Sequence, residues 1–406
     1  MTAAAVVVAV FSAVWLLQAA LVFRNLSRMR DLRDLEPPAP SRWPRVSILM
    51  PARNEEAGIG GSIASRLSDG YPDLEVVAID DRSEDGTGYV IAQNAARDPR
   101  VRPVRIDALP AGWLGKVHAL EVGAKAATGE WLLLSDADIE VEPGMLAKAV
   151  AHCEANGFDL LAMLPEFRSP SGAVAMLWAV FVRVMAMAAD PAAVRNPCSS
   201  AAVGSGAFTL VRRRVLDATP GFGFLRLETA DDMAFGAMAK AAGARCDFVG
   251  GRGAARVSIY ESFGAYVRGV EKNGGTFAGT PFAAVAAGFA VAACVELSPI
   301  AALALGIAGC VPWLVAAGAF SALLATLATS AALRRNTGSI LPALLWPVGW
   351  PLMAYGVLRS AWLVHRRGGV TWRGTFYPKA DLIAGRRYRV GKGLVGPAPG
   401  AGGRAA

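Results

Sequence analysis

Ser135-Asp136-Ala137-Asp138 sets two carboxylates two residues apart, directly after the apolar run Trp131-Leu132-Leu133-Leu134. Where a buried strand ends and the chain bends, they offer the hard oxygens that Mg²⁺ or Mn²⁺ takes while bridging protein to a substrate diphosphate. Acidic pairs of this spacing are common in turns, so the weight of this one comes from its company. A second pair, Asp80-Asp81, follows the run Glu75-Val76-Val77-Ala78-Ile79 and opens the polar turn Asp80-Asp81-Arg82-Ser83-Glu84-Asp85-Gly86-Thr87. That turn reads either as a solvated loop with a helix cap at Ser83 or Asp85, or as a pocket for a base and ribose.

Gly112-Trp113-Leu114-Gly115-Lys116 joins a loop with two glycines to a lysine at an expected helix start. Backbone N–H groups, a helix N-terminus and a lysine charge together favour a diphosphate. His118, two residues on, reads as a packing residue. Further along, Glu228-Thr229-Ala230-Asp231-Asp232-Met233 crowds three acids at another helix start. Capping and the helix dipole explain one of them. A carboxylate beside a sugar acceptor can also act as a general base.

The elements that must carry these groups follow an α/β pattern. Apolar runs at 46–50, 75–79, 102–106 and 131–135 predict strands, the first two ending in Pro51-Ala52-Arg53-Asn54-Glu55-Glu56 and in Asp80-Asp81. Strand, helix, strand with polar residues at the carboxyl ends is the grammar of a parallel sheet, which binds ligands at those ends.

Residues 3–23 are apolar for long enough to cross a bilayer, and no charged stretch precedes them, which predicts a span and not a cleaved signal. Arg24, Arg28, Arg30 and Arg33 follow, so the positive-inside rule puts the N-terminus outside and the catalytic domain in the cytoplasm. Residues 280–333 carry Glu296 as their only charge, room for two more spans, and 339–358 is a further apolar run holding Pro342, Pro347 and Pro351. Three later spans would leave the Arg- and Lys-rich tail outside. Loop charge therefore predicts that one segment, with 339–358 the first candidate, is re-entrant or interfacial. The apolar stretch 173–189, interrupted by Arg183, is expected in the membrane interface or buried in the domain. The division predicted is 1–23 transmembrane anchor, 24–44 basic Pro-rich linker, 45–279 catalytic domain, 280–362 membrane cluster and 363–406 basic cytoplasmic tail, with a disordered end beyond Gly391.

The formal net charge of +8 gathers at the ends of apolar runs, where it orients spans and meets anionic lipid, and no basic-aromatic stripe accompanies it. Nucleic acid is accordingly not expected as a partner. Five widely spaced cysteines without a C-x-x-C predict reduced, mostly buried thiols.

In order and spacing, Pro51-Ala52-Arg53-Asn54-Glu55-Glu56, Asp80 to Thr87, Ser135-Asp136-Ala137-Asp138 and Ala230-Asp231-Asp232 resemble the motifs of family-2 inverting glycosyltransferases over roughly residues 45 to 275. The resemblance implies a GT-A fold, a Rossmann-like mixed sheet with helices on both faces. It implies a nucleotide held by Pro51, Arg53, Asn54, Glu55, Asp80 and Asp81, and Lys116 near the diphosphate. Asp136 and Asp138 would hold donor and metal, Mg²⁺ or Mn²⁺. Asp231-Asp232 is similar to the family's Glu-Asp pair, whose second member is the catalytic base, which favours Asp232. Gly112-Trp113-x-Gly115-Lys116 and Thr371-Trp372-Arg373-Gly374 with Tyr377 are similar to the membrane-bound branch acting on hopanoid-type and carotenoid-type lipids. An amphipathic interfacial stretch explains the tail motif equally well. The Q-x-x-R-W of processive members is absent, so transfer of one sugar from a nucleotide-sugar, a UDP-sugar first, to a lipid acceptor is expected at the membrane. The alternatives are a polyprenyl-phosphate sugar transferase and an inactive membrane scaffold.

Overall fold

The computed structural model describes residues 3–389 and 393–395; Lys392 and the Gly-, Pro- and Ala-rich end from 396 lie outside the described residues. The chain divides into two compact units. One comprises Met29–Phe167, Pro191–Ser258 and the described residues after 383; the other comprises residues 3–28, Arg168–Asp190 and Ile259–Ile383.

The first unit is built on an eight-stranded mixed sheet. Its strands are β1 (Val46–Ala52), β2 (Leu74–Asp81), β3 (Val101–Ile106), β4 (Trp131–Leu134), β5 (Ile139–Val141), β6 (Leu160–Arg168), β7 (Thr209–Arg212) and β8 (Cys246–Ser258), in the order β3-β2-β1-β4-β7-β6-β8-β5. The first four are parallel, and β7 is antiparallel to both β4 and β6. The four strands expected from apolar runs are present, with β1 and β2 carried two residues further into the polar motifs.

β1 and β2 are buried along nearly their whole length, as strands covered on both sides must be. Ile48 and Met50 enter a core with Ile59 and Ile63 of the helix Glu56–Leu67. Leu49 and Ile79 turn the other way, onto the helix Gly115–Ala126, where a Cβ on Gly123 would stand 2.8 Å from Ile79. That approach is why a glycine sits in the middle of a helix despite its cost.

The expected linker is only partly a linker. The first helix runs to Arg28, and the chain then packs on the sheet, with Asp31 bridging Gly250 of β8 and Leu32 fully buried. Arg30, read from sequence as an orientation signal, pairs with Asp247 at 2.9 Å.

The second unit is helical. Four helices are long and apolar enough to cross a membrane: Ala4–Arg28, Phe282–Ala308, Pro312–Asn336 and Leu341–Arg367. The last one covers the segment expected to be re-entrant. Its prolines explain how it stays helical: Pro342 and Pro347 lie in first turns, where a missing N–H costs nothing, and only Pro351 is internal. The helix Gly172–Ala188 belongs to this unit and not to the sheet unit. Its Arg183 is buried, pairs with Glu296 at 2.5 Å and lies over the Trp15 ring, as an ion in apolar surroundings must be paired.

Thr371-Trp372-Arg373-Gly374 forms a hairpin between β9 (Gly369–Trp372) and β10 (Thr375–Pro378), with Arg373 and Gly374 both at positive φ in the turn. Lys272 stacks over Trp372. The expectation of mostly buried thiols holds only for Cys153 and Cys246. Cys198, Cys294 and Cys310 are exposed, and all five are free.

Candidate active site

The carboxyl ends of β1, β2 and β4 deliver the first set of polar groups. The loop after β1 and the turn after β2 are stitched into one piece. The Asn54 N–H donates to Ser83 Oγ at 3.0 Å, Glu84 N–H donates to Asn54 Oδ1 at 2.9 Å, and Glu55 N–H donates to Thr87 Oγ1 at 2.8 Å. Asn54 adopts φ 54°, a left-handed conformation that asparagine tolerates. Asn54 thus already holds the turn. Asp85 accepts from the Glu56 N–H and from Thr87, but the cap expected at Ser83 or Asp85 falls on Gly86, which precedes the helix Thr87–Arg97 without a side-chain cap.

Asp80 and Asp81 are both buried. Asp80 accepts from the Ser83 N–H at 3.0 Å and from Arg105 at 3.2 Å, while Asp81 takes Arg82 through both oxygens, at 2.7 and 3.1 Å. Arg82 reaches back because it sits at φ 57°. Gly115 makes room for this pair, since a Cβ there would lie 2.5 Å from Asp81 Oδ2. His118 packs edge-on against Trp113, as a packing residue.

Lys116 projects from the first turn of the helix Gly115–Ala126 and meets Asp136 Oδ1 at 2.5 Å and Asp231 Oδ2 at 3.9 Å. Burial alone would lower its pKa, but Asp136, Asp231 and Asp232 together hold it well above the ordinary lysine value. Asp138, whose side chain reaches solvent, is pushed up to about 6 by desolvation, then by Asp136 and Glu55. The tip of β4 thus carries a surplus of negative charge.

Asp231 and Asp232 open the helix Asp231–Ala241, where the dipole favours carboxylates. Asp232 accepts from the Gly206 N–H at 3.1 Å and from the Met233 N–H at 2.7 Å. Pro51, Lys116, Asp136, Asp231 and Asp232 line one pocket together with Ser205, Gly206, Thr209, Phe222 and Phe235. Arg53, Asn54, Glu55, Asp80, Asp81 and Asp138 are not among its lining residues.

Two contributors were missed in the sequence. Gly204-Ser205-Gly206, a small-residue turn ahead of β7, brings the Asp136 and Asp232 backbones together, and a Cβ on Gly204 would stand 1.9 Å from the Asp232 carbonyl oxygen. Its G-x-G spelling was the available signal. Arg66 is buried beneath the loop of Asp136 and Asp138 and donates to Ser135 Oγ at 2.7 Å. Nothing in the helix pattern distinguishes it from a surface arginine. Its burial pulls the guanidinium down to about 10, against Asp69, Asp138 and Glu140.

Two carboxylates on a β4 loop suit a divalent cation only in part. Among the described residues no group of three His, Cys, Asp or Glu side chains could cage one. This is the donor set for an ion that keeps waters and completes its shell with substrate phosphate oxygens.

Residues 47–219 match the family model for glycosyl transferase family 2, a span that includes Asp80, Asp81, Lys116, Asp136 and Asp138 and ends before Asp231. The succinoglycan biosynthesis protein ExoO of Rhizobium meliloti is 34% identical over 123 residues, covering 30% of this chain and 34% of that protein. A beta-monoglucosyldiacylglycerol synthase of Synechocystis sp. is 30% identical over 156 residues, 36% of this chain and 32% of that one. The 4,4'-diaponeurosporenoate glycosyltransferase of Staphylococcus haemolyticus is 32% identical over 96 residues, 24% of each chain. The matches thus span 24 to 34% of these relatives' length. The solved mannosyltransferase PcManGT from Pyrobaculum calidifontis, in complex with GDP-Man and Mn²⁺, superposes with a TM-score of 0.50 at 18% identity, covering 88% of this chain and 98% of that one. The likeness is one of fold, GT-A. Residues 47–219 are thus similar to glycosyl transferase family 2, on a sheet with the GT-A fold.

Proposed function

We propose that this chain is a membrane-bound inverting glycosyltransferase that moves one sugar from a nucleotide-sugar, a UDP-sugar first, to the hydroxyl of a lipid. The observation that carries this reading is Lys116 held among Asp136, Asp231 and Asp232, which puts a cation and a carboxylate base around one pocket at the strand ends. Asp80 and Asp81, with Pro51, Arg53, Asn54 and Glu55, form the nucleoside side. Lys116 faces the diphosphate and neutralises charge on the leaving group. Asp232, oriented by the Gly206 and Met233 N–H groups, takes the acceptor proton as the acceptor oxygen bonds to the anomeric carbon and the bond to the diphosphate breaks. Asp136 and Asp138 would hold Mg²⁺ or Mn²⁺, which when bound supplies further charge neutralisation of the diphosphate.

A lipid acceptor is supported by the four long apolar helices and by the names of two relatives, a glucosyldiacylglycerol synthase and a diaponeurosporenoate glycosyltransferase. The tail bears on topology. Arg387 and Tyr388 donate backbone N–H groups to Glu228 of the sheet unit, which supports tail and catalytic core on one side of the membrane. An even number of crossings would then separate them, and of the three helices available Leu341–Arg367, the least apolar with a mean hydropathy of 1.3, is the one we assign as not crossing. Basic residues flanking the first helix support the cytoplasm as that shared side.

Membranes containing the protein, incubated with a panel of UDP- and GDP-sugars and followed by mass spectrometry of the lipid extract, test the reading. A hexose added to a neutral lipid hydroxyl is expected. A product formed only on polyprenyl phosphate would replace it with the phosphate-acceptor alternative.

A further inference from the structure

Of the three acids crowded at 228–232, Glu228 has no place in the chemistry above, yet it is 4% exposed. A buried carboxylate needs hydrogen bonds, and its partners are informative. One oxygen accepts from the Ala230 N–H at 3.0 Å, which shapes the entry to the helix Asp231–Ala241. The other accepts two backbone N–H groups from the far end of the chain, Arg387 at 2.6 Å and Tyr388 at 2.9 Å.

These residues begin a small hairpin, β11 (Tyr388–Arg389) paired with β12 (Gly393–Leu394), which packs on that same helix. Two further contacts fit it to this place. The Arg387 guanidinium lies 5.1 Å over the Phe224 ring, and Gly385 approaches Leu227 so closely that a Cβ would stand 2.3 Å from the Leu227 Cβ. The segment it grips, 222–228, also contributes Phe222, which stacks on Phe235 in the pocket wall.

We propose that Glu228 is a positioning residue that latches the strand Tyr388–Arg389 onto the amino end of the catalytic helix, making Tyr388 a wall of the acceptor side that helps select the lipid. Tyr388 is half-buried on a strand packed against the helix that opens with Asp231 and Asp232, and burial raises its phenol pKa, with Asp232 and then Glu228 raising it further. A tyrosine, apolar along the ring and polar at the tip, suits an acceptor that joins a hydrocarbon body to one hydroxyl. This inference rests on the transferase reading.

The test uses full-length protein in membranes, with UDP-glucose and GDP-mannose as donor probes and total lipid extract as acceptor. Glu228→Ala is expected to lower kcat roughly tenfold in the folded fraction while donor Kd stays constant. Glu228→Gln should recover most of this, since its carbonyl oxygen can still receive both strand N–H groups. Tyr388→Phe, which keeps the latch, is expected to raise the acceptor KM by roughly threefold or more. Folded Glu228→Ala with unaltered kcat, or a loss matched by lost donor binding, overturns the proposal, as does an unchanged acceptor KM in Tyr388→Phe. If the wild type transfers no sugar, the functional reading fails and the latch is judged by trypsin alone. Cleavage after Arg386 and Arg387 should be faster in Glu228→Ala, and equal rates overturn it.

Discussion

Asp136 and Asp232 are joined through the backbone of one residue: the Gly206 carbonyl accepts the Asp136 N–H at 2.9 Å, and the Gly206 N–H donates to Asp232 Oδ2 at 3.1 Å. The donor-side carboxylate and the base are thereby fixed to each other by backbone, independently of any substrate. A Cβ on Gly206 would stand 2.8 Å from Lys116 Nζ and 2.9 Å from Asp136 Oδ2. Gly206→Ala must push one of them aside, and misplacements of about 1 Å cost on the order of a hundredfold in rate. Transfer should fall by roughly that factor while membrane insertion and yield are retained, a comparison that initial rates on equal amounts of folded protein decide.

The strands β1 to β4 and the motifs at their ends were legible because a run such as Ile48-Leu49-Met50, buried on both sides, admits few other readings. The Gly206 link was not, because it depends on β7 lying beside β4, an antiparallel pairing between residues far apart in sequence. The place of Glu228 was hidden for the same reason, since its partners lie 159 and 160 residues away. The pairing of Arg30 was misread because a basic residue after an apolar helix has the same spelling whether it meets lipid or a buried aspartate.

Asp232→Asn keeps the shape of the side chain and one of its two backbone contacts, since the amide NH₂ cannot accept where a carboxylate oxygen did, and it cannot take a proton. Loss of transfer by roughly 10² to 10⁴ is expected, the range of general base catalysis, with donor affinity nearly unchanged. The same substitution at Asp231 should cost less and should act through Lys116, its partner at 3.9 Å. Steady-state rates and calorimetric donor binding on the two variants separate base from neighbour.

Lys116 lies within ion-pair reach of both Asp136 and Asp231, at 2.5 and 3.9 Å. Lys116→Met would leave those carboxylates facing a diphosphate with nothing between, so donor affinity should fall by roughly tenfold or more, about the worth of one charged hydrogen bond. Unaltered binding of a nucleoside diphosphate to this variant would exclude Lys116 from the diphosphate side.

The incomplete protein donor set at Asp136 and Asp138 predicts a weakly held ion that exchanges with solvent. EDTA should abolish transfer, and added Mn²⁺ or Mg²⁺ should restore it. Activity that persists after chelation would remove the metal from the reading and leave Lys116 as the sole neutralising group.

A final prediction concerns pH and lies away from the chemistry. Asp247 on β8 is fully buried and accepts from His152 Nε2 at 2.9 Å, Arg30 at 2.9 Å, Arg195 at 3.1 Å and the Phe248 N–H at 2.9 Å. Burial would raise its pKa, but His152, Arg30 and Arg195 outweigh burial and hold it below the ordinary aspartate value. A carboxyl depressed in the folded state stabilises the fold at every pH above its unfolded value near about 4 and loses that contribution as pH falls through the folded value. The thermal midpoint should therefore be flat through neutral and weakly acidic pH on this account and drop below about pH 4. Asp247→Asn should lower it at neutral pH, by about 2 kcal/mol of stability, and should flatten the acid limb. Thermal melts of the two proteins in detergent across that range measure both effects, and an acid limb of equal steepness in the variant would assign the acid sensitivity to other carboxylates.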